Sequence, residues 1–214
     1  MDAGRVIGLF SNIAVIVASI AAVWGVSAWR REFRGKRDME LAENALELFY
    51  RAERAIEAIR FPIWNLADGR TRSPEPNETP EEKEARDRAY VVFKRMKDHS
   101  DIFDQLYTLR FRFMARFGRD RSKPFDEMKR VVDTIWVCTK QLAEYWAEQL
   151  RDGDRTHQST KNEITEYERV ISYAGAKDPT ESRVRDIIAE VEGICRPIIQ
   201  GKRSWLSRLL RGAD

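Results

Sequence analysis

Residues 6–29 read VIGLFSNIAVIVASIAAVWGVSAW, and residues 30–37 read RREFRGKR. The first stretch contains no charged side chain. A helix that crosses a bilayer needs about 20 consecutive apolar residues, and this run supplies them. The second stretch supplies a direction. Arg30, Arg31, Arg34, Lys36 and Arg37 follow the run, whereas Arg5 is the one basic side chain before it, with Asp2 close by. Lys and Arg that flank a span stay on the cytoplasmic side. The pattern therefore predicts a short extracytoplasmic segment over 1–5, a single transmembrane helix over 6–29 in the cell inner membrane, and the remaining chain in the cytoplasm. Trp24 and Trp29 fall near one end of the run, where aromatic rings anchor a span at the headgroups.

A cleavable signal peptide is the competing reading, and Val26-Ser27-Ala28 has the small-residue spacing of a cleavage site. Its apolar region would be about 7–15 residues with basic residues in front, and both features are reversed here. A buried soluble helix fits poorly, because a helix apolar all round suits lipid better than a small soluble domain. Asn12, Ser11, Ser19 and Ser27 are the polar residues inside the run, and none ionises. The stretch thus lacks the groups that mark a transport or sensing path. Ala14, Ala18 and Ala22 recur at i+4, a spacing that lets two helices approach closely and would serve a homo-oligomer. Alanine is common enough in such spans to give the same spacing without that role.

Beyond residue 30, helical periodicity dominates and strand patterns are scarce, so the fold class is all-α. Residues 30–63 read as one juxtamembrane stalk helix. Ala42, Phe49, Ile56 and Ile63 recur at seven, with Met39, Leu46 and Ile59 between them, a coiled-coil-like stripe. Pro62 ends it, and the turn and breaker residues Gly69, Pro74, Pro76 and Asn77 make 64–79 a loop. Thr79, Pro80 and Glu82 form a capping box with proline at the first helical position. That helix runs to Phe117 and Gly118, with a weakened stripe at His99-Ser100-Asp101 that allows a break there. A further helix starts near Ser122-Lys123-Pro124 and ends at Asp152-Gly153. Thr160 with Glu163 and Asp178 with Glu181 open two more. Short connections between such helices favour antiparallel neighbours. The expectation is an antiparallel helical bundle of about five helices, the stalk included, with the bundle proper over 80–200 and a basic amphipathic segment over 201–214.

Chemistry is harder to find. Cys138, Cys195, His99 and His157 are isolated, with no Cys-x-x-Cys pair and no Cys/His cluster, which argues against a zinc site. Carboxylates alternate with basic residues on helix faces, the pattern of solvated surfaces. No phosphate-cradling glycine loop and no nucleophile or metalloprotease motif is present. The reading is of no enzyme, no cofactor and no metal. Arginine exceeds lysine, a usage that fits a GC-rich bacterial genome.

The net charge of +3 is small, but the basic residues are clustered. One cluster follows the apolar run. A second contains Arg110, Arg112, Arg116, Arg119 and Arg121, interleaved with Phe111, Phe113 and Phe117. Arginine among aromatics suits phosphate and base stacking or anionic lipid. However, Leu106, Phe113 and Phe117 continue an upstream core stripe, so the periodicity favours a core helix with a solvated basic face and disfavours nucleic acid. The third cluster, in the C-terminal segment, places Trp205, Leu206, Leu209 and Leu210 on one face with Arg208 and Arg211 beside it. That composition fits a helix lying in the membrane interface or a last helix docked on the bundle. The chain therefore reads as a membrane-anchored helical scaffold without catalysis, whose partners are membrane lipid and either a second copy or another protein. The alternative is a membrane-tethered regulator that binds a ligand or nucleic acid through the face from Arg110 to Lys123.

Overall fold

A computed structural model describes residues 3–61, 71–153, 157–173, 175 and 178–200, with side chains described from residue 24 onward apart from 26–28 and 31. These residues form helices and no strand. The helices are α1 (Ala3–Ile59), α2 (Pro80–Asp98), α3 (Ser100–Phe117), α4 (Lys123–Asp152), α5 (Gln158–Ile171) and α6 (Pro179–Ile199), with a 3-10 turn at Asp120–Ser122. The chain divides into two compact units, one formed by Met1–Ala42 with Pro197–Asp214 and the other by Glu43–Arg196.

In the first unit, α1 carries large exposed rings at Trp24, Trp29 and Phe33. Trp29 and Phe33 lie with ring centroids 6.2 Å apart, and the Arg37 guanidinium stands 4.8 Å over Phe33. Arg30, Arg34, Lys36 and Arg37 are exposed, and the side chain of Arg31 lies outside the described residues. The apolar run at 6–29 forms part of α1, but most of its side chains lie outside the described residues. Among the described residues, no helix is long and apolar enough to cross a membrane. The expected transmembrane helix therefore has no support from the described side chains.

The second unit is a helical bundle. Its core draws on every helix: Phe49, Ile56 and Ile59 from α1, Val91 and Val92 from α2, Leu106 and Phe113 from α3, Ile135 and Leu142 from α4, Ile171 from α5, and Ile187 and Val191 from α6. Residue pairs across the helices give their directions. Phe93 meets Trp136, Lys129 lies over the Tyr107 ring, Arg110 meets Asp126, and Phe113 meets Phe125. As one partner's number rises the other falls, so α2 and α3 together run antiparallel to α4. The same test pairs Arg95 with the carbonyls of Ile59 and Phe61, and sets Leu109 and Arg112 beside Asn44 and Leu48. Thus α3 also runs antiparallel to α1. Tyr50 meets Glu192 and Arg60 meets Asp178, which makes α6 antiparallel to α1.

Three local details bear on the expectations. First, the segment from 80 to 117 is two helices, and the break that the weakened stripe allows falls at His99, whose N–H reaches the carbonyls of both Arg95 and Lys97. Ser100 and Asp101 supply the competing local hydrogen-bonders that weaken a helix interior, and Ser100 Oγ donates to the Lys97 carbonyl. Second, α5 begins at Gln158, two residues before the expected capping box, and its N-cap His157 makes no side-chain cap bond. Third, residues 43–59, expected as stalk, are core. The buried set there includes Ala45, Ala52 and Ala55, small residues that carry no hydrophobic contrast in a sequence pattern.

Candidate functional site

The carboxyl end of a helix leaves carbonyls unpaired, and the amino end leaves N–H groups unpaired. At one place in the bundle an arginine and an aspartate, Arg60 and Asp178, together answer both. Arg60 follows α1 and is 4% exposed. Its Nε donates to the Val170 carbonyl at 2.8 Å, and Nη2 donates to the carbonyls of Arg169 and Ser172 at 3.0 and 2.9 Å, near the C-terminus of α5. The same Nη2 lies 2.7 Å from Asp178 Oδ2. Asp178 Oδ1 in turn accepts the N–H groups of Thr180 and Glu181 at 2.9 and 3.0 Å, capping α6. The Arg60 carbonyl accepts from the Tyr173 N–H. A guanidinium with five donors in a planar fork suits this set of acceptors.

Beside this junction lies a cleft of about 510 Å³. Ile56 and Val184 give it an apolar floor, and Phe61 and Tyr173, each about half exposed, stand at its rim. Glu53, Glu57 and Glu181 place three carboxylates around it, with Arg185 on one side. Burial pushes the Glu53 carboxyl above its usual range, and the nearby Glu57 adds to the effect while Arg54 opposes it. The arrangement is amphipathic and acidic.

The opposite end of the bundle holds the basic cluster expected from sequence. Arg110 is half-buried and paired: its Nη2 donates to Asp126 Oδ2 at 2.9 Å, and its Nε lies 2.8 Å from Oδ1. Lys123 pairs with Asp120 at 3.1 Å. Arg112, Arg116, Arg119 and Arg121 are exposed. Phe111 is 61% exposed, with the Arg110 guanidinium 5.5 Å from its ring centroid. Beneath them, Phe113 contacts Phe117 and Phe125 at centroid distances of 4.7 and 5.1 Å, and Phe125 contacts Phe49 at 4.8 Å. Leu106 and Phe113 are buried as the stripe predicts. Arg112 also borders a groove of about 530 Å³ between α1 and α3 that contains Glu47, Arg51 and Asp104.

Trp205, Leu206, Arg208, Leu209, Leu210 and Arg211, expected at a membrane surface or on the bundle, lie outside the described residues. Among the described residues, no group of three His, Cys, Asp or Glu could hold a metal ion. His99 borders a small hollow with Tyr50 and Ile102. Cys138 and Cys195 are buried free thiols, and burial pushes Cys195 up to about 11 and Cys138 upward in the same direction.

Sequence reading missed both the Arg60 junction and the cleft, because their residues come from three segments far apart in the chain. One signal was available for half of it: Asp178 stands in a recognisable N-cap position. It missed also the ionic cluster in which Arg72 holds Glu78 at 2.7 and 2.6 Å and Asp87 at 2.9 Å, fastening the loop before α2 to that helix. No protein-family model, no curated protein and no solved structure matches the chain.

Proposed function

We propose that the protein is a single-pass inner-membrane protein whose bundle lies in the cytoplasm and binds a protein partner, without catalysis of its own. One observation carries this reading. The uncharged run at 6–29 and the core segment at 43–59 belong to one uninterrupted helix, Ala3–Ile59. A bilayer is the environment that suits an uncharged run of that length. Trp24 and Trp29 are exposed, which supports reading them as interfacial rings. The basic residues Arg30 to Arg37 follow at once and set the bundle on the cytoplasmic side.

The partner-binding surface is the acidic, aromatic-rimmed cleft beside Arg60, which fits a basic amphipathic segment. Retention of the chain in membranes through alkaline extraction tests the anchor, and recovery in the supernatant rejects it. A C-terminal reporter active only in the cytoplasm tests the orientation. Cross-linking in native membranes tests the cleft: Glu57→Lys with Phe61→Ala should abolish the adduct, and an adduct that survives both changes removes the cleft from the interface.

A further inference from the structure

We propose that the cleft beside Arg60 receives an arginine side chain of the protein partner, with the guanidinium on Glu53 and the stem along Ile56 and Val184. The inference rests on the partner-binding reading above and adds to it the side chain recognised and the residue that selects it. Its first support is the charge left over once the pairs around the cleft are matched. Arg54 Nη1 donates to Glu57 Oε2 at 2.8 Å, and Arg185 stands 3.8 Å from Glu181. Arg60 is taken by Asp178 and by the carbonyls of Arg169, Val170 and Ser172. Farther along α6, Glu192 accepts from Arg196 at 2.7 Å and from the Tyr50 hydroxyl. Glu53 is the carboxylate that remains. It is half-buried, with Glu57, Glu181 and Glu192 nearby, and among the described residues it makes neither a hydrogen bond nor an ion pair. The site is one cation short. A carboxylate crowded by like charge and burial gains more from an arriving cation than an isolated one does.

The second support is what surrounds that carboxylate. The cleft encloses about 510 Å³, within the roughly 300–1,000 Å³ of ligand sites. Ile56 and Val184 line it with apolar surface. Phe61 and Tyr173 stay about half exposed, and the backbone of each is held. The Phe61 carbonyl accepts from Arg95 Nη1 at 2.7 Å, and the Tyr173 N–H donates to the Arg60 carbonyl at 3.1 Å. Arginine suits these surroundings better than lysine. Its guanidinium is planar and weakly hydrated, forks onto a carboxylate and stacks on aromatic faces, while its stem covers apolar surface.

Other classes of ligand fit less well. A phosphate, whether of nucleic acid or of a lipid headgroup, would meet an unpaired carboxylate and be repelled. Among the described residues, no three acidic groups converge closely enough to hold a metal ion. A free organic cation shares the chemistry of the arginine side chain. It would, however, leave the apolar rim of Phe61 and Tyr173 in water, whereas a peptide flanking its arginine would cover those rings and exclude water around the ion pair.

The test uses the full chain in neutral detergent, with isotope-labelled isoleucine and valine methyl groups read by NMR. The probe is acetyl-alanyl-arginyl-alanine amide, beside the same tripeptide with citrulline, which keeps the shape and removes the charge. The arginine tripeptide should shift the Ile56 and Val184 methyl signals saturably. It should bind at least about tenfold more tightly than the citrulline tripeptide, the scale of a hydrogen bond to a charged group. A lysine tripeptide should fall between the two. Glu53→Gln should reduce the arginine tripeptide to the citrulline level, and Glu53→Asp should keep part of the preference. Glu47→Gln, on α1 outside the cleft, should leave it unchanged. Absence of shifts at Ile56 and Val184 overturns the proposal, as does equal binding of the arginine and citrulline tripeptides or a preference that survives Glu53→Gln. Butylguanidine bound as tightly as the arginine tripeptide overturns the assignment to a protein segment and gives the cleft to a free cation. Cross-linking in native membranes reads the partner separately. An adduct that depends on Glu57 and Phe61, in a chain without the arginine preference, defeats the role of Glu53 alone. The preference without any adduct leaves the selectivity of Glu53 standing and defeats the partner reading alone.

Discussion

Arg60 bonds to carbonyls at the end of α5 and to Asp178 before α6, and its loss should be costly. Removing one partner of a buried ion pair leaves the other charge uncompensated, at about 3–5 kcal/mol. Arg60→Met should therefore lower stability by that amount in urea unfolding, and Asp178→Asn by a similar amount because it weakens both the pair and the cap of α6. The double variant should fall short of the sum, since the two residues share one interaction. Arg60→Lys should restore little, because a compact ammonium cannot reach three carbonyls and a carboxylate together. A loss below about 1 kcal/mol for Arg60→Met would mean the junction is dispensable. A second residue-scale prediction concerns acid. Hydrogen bonding to Arg72 holds the Glu78 carboxyl below its ordinary value of 4.5, against a burial effect in the other direction. Asp87 is also held below its ordinary 3.8, since its bonds to Lys83 and Arg72 outweigh burial. A carboxylate whose folded pKa is depressed stabilises the fold fully above its unfolded pKa and loses that contribution as pH falls through the folded one. Stability should thus be flat near neutrality and fall below about pH 4.5, and Arg72→Gln should flatten that acid limb. An acid limb unchanged in Arg72→Gln would place the sensitivity elsewhere.

At the scale of elements, the caps decide where helices begin. Glu82 N–H donates to Thr79 Oγ1 at 3.2 Å, and Thr79 N–H donates to Glu82 Oε2 at 3.1 Å, so the capping box before α2 is complete. Thr79→Ala should cost about 1 kcal/mol, and Thr79→Asp should cost less than Thr79→Ala, measured by thermal unfolding. Equal losses would mean that the hydroxyl bond is idle. The contrast with α5 explains how far the sequence could be read. Thr79 and Asp178 are caps that act where the pattern places them, and Gly118 and Gly153 take the positive φ expected just past a helix end. Thr160 has the same lettering as Thr79, yet α5 starts before it, because a capping pattern names a permitted start and the packing of Ile164 and Ile171 chooses among them. The core face of α4 was legible because Met128, Val131, Ile135, Cys138, Leu142 and Trp146 are large and regularly spaced. The core face of α1 was half legible: Ala42, Phe49 and Ile56 stood out, but Ala45, Ala52 and Ala55 did not. For the candidate sites the limit is physical too. A run of arginines is visible in one dimension, but whether Arg110 faces solvent or Asp126 depends on the antiparallel pairing of α3 with α4.

For the molecule as a whole, the two thiols and the basic clusters give independent readouts. Cys138 and Cys195 are buried, and burial holds the thiolate form unfavourable in both. Only the thiolate reacts, so a water-soluble thiol reagent at neutral pH should label the folded protein no faster than it opens, and denaturant should raise the rate at both positions together. Rapid labelling of Cys195 alone would show that α6 opens separately from the bundle. Orientation is decided elsewhere in the chain. Basic residues influence how a span inserts only within about 15–20 residues of its end. Arg30, Arg31, Arg34, Lys36 and Arg37 fall inside that reach, whereas Arg112, Arg116, Arg119 and Arg121 fall far outside it. Replacing the first five with glutamine should therefore give a mixture of orientations, read as loss of cytoplasmic signal from a C-terminal reporter and gain of signal from one active only outside. Replacing the four arginines of α3 and its following turn should leave the reporters unchanged. If the five-residue variant keeps a single orientation, charge does not set the topology; if the four-residue variant alters it, the charge effect reaches beyond the residues that flank the span.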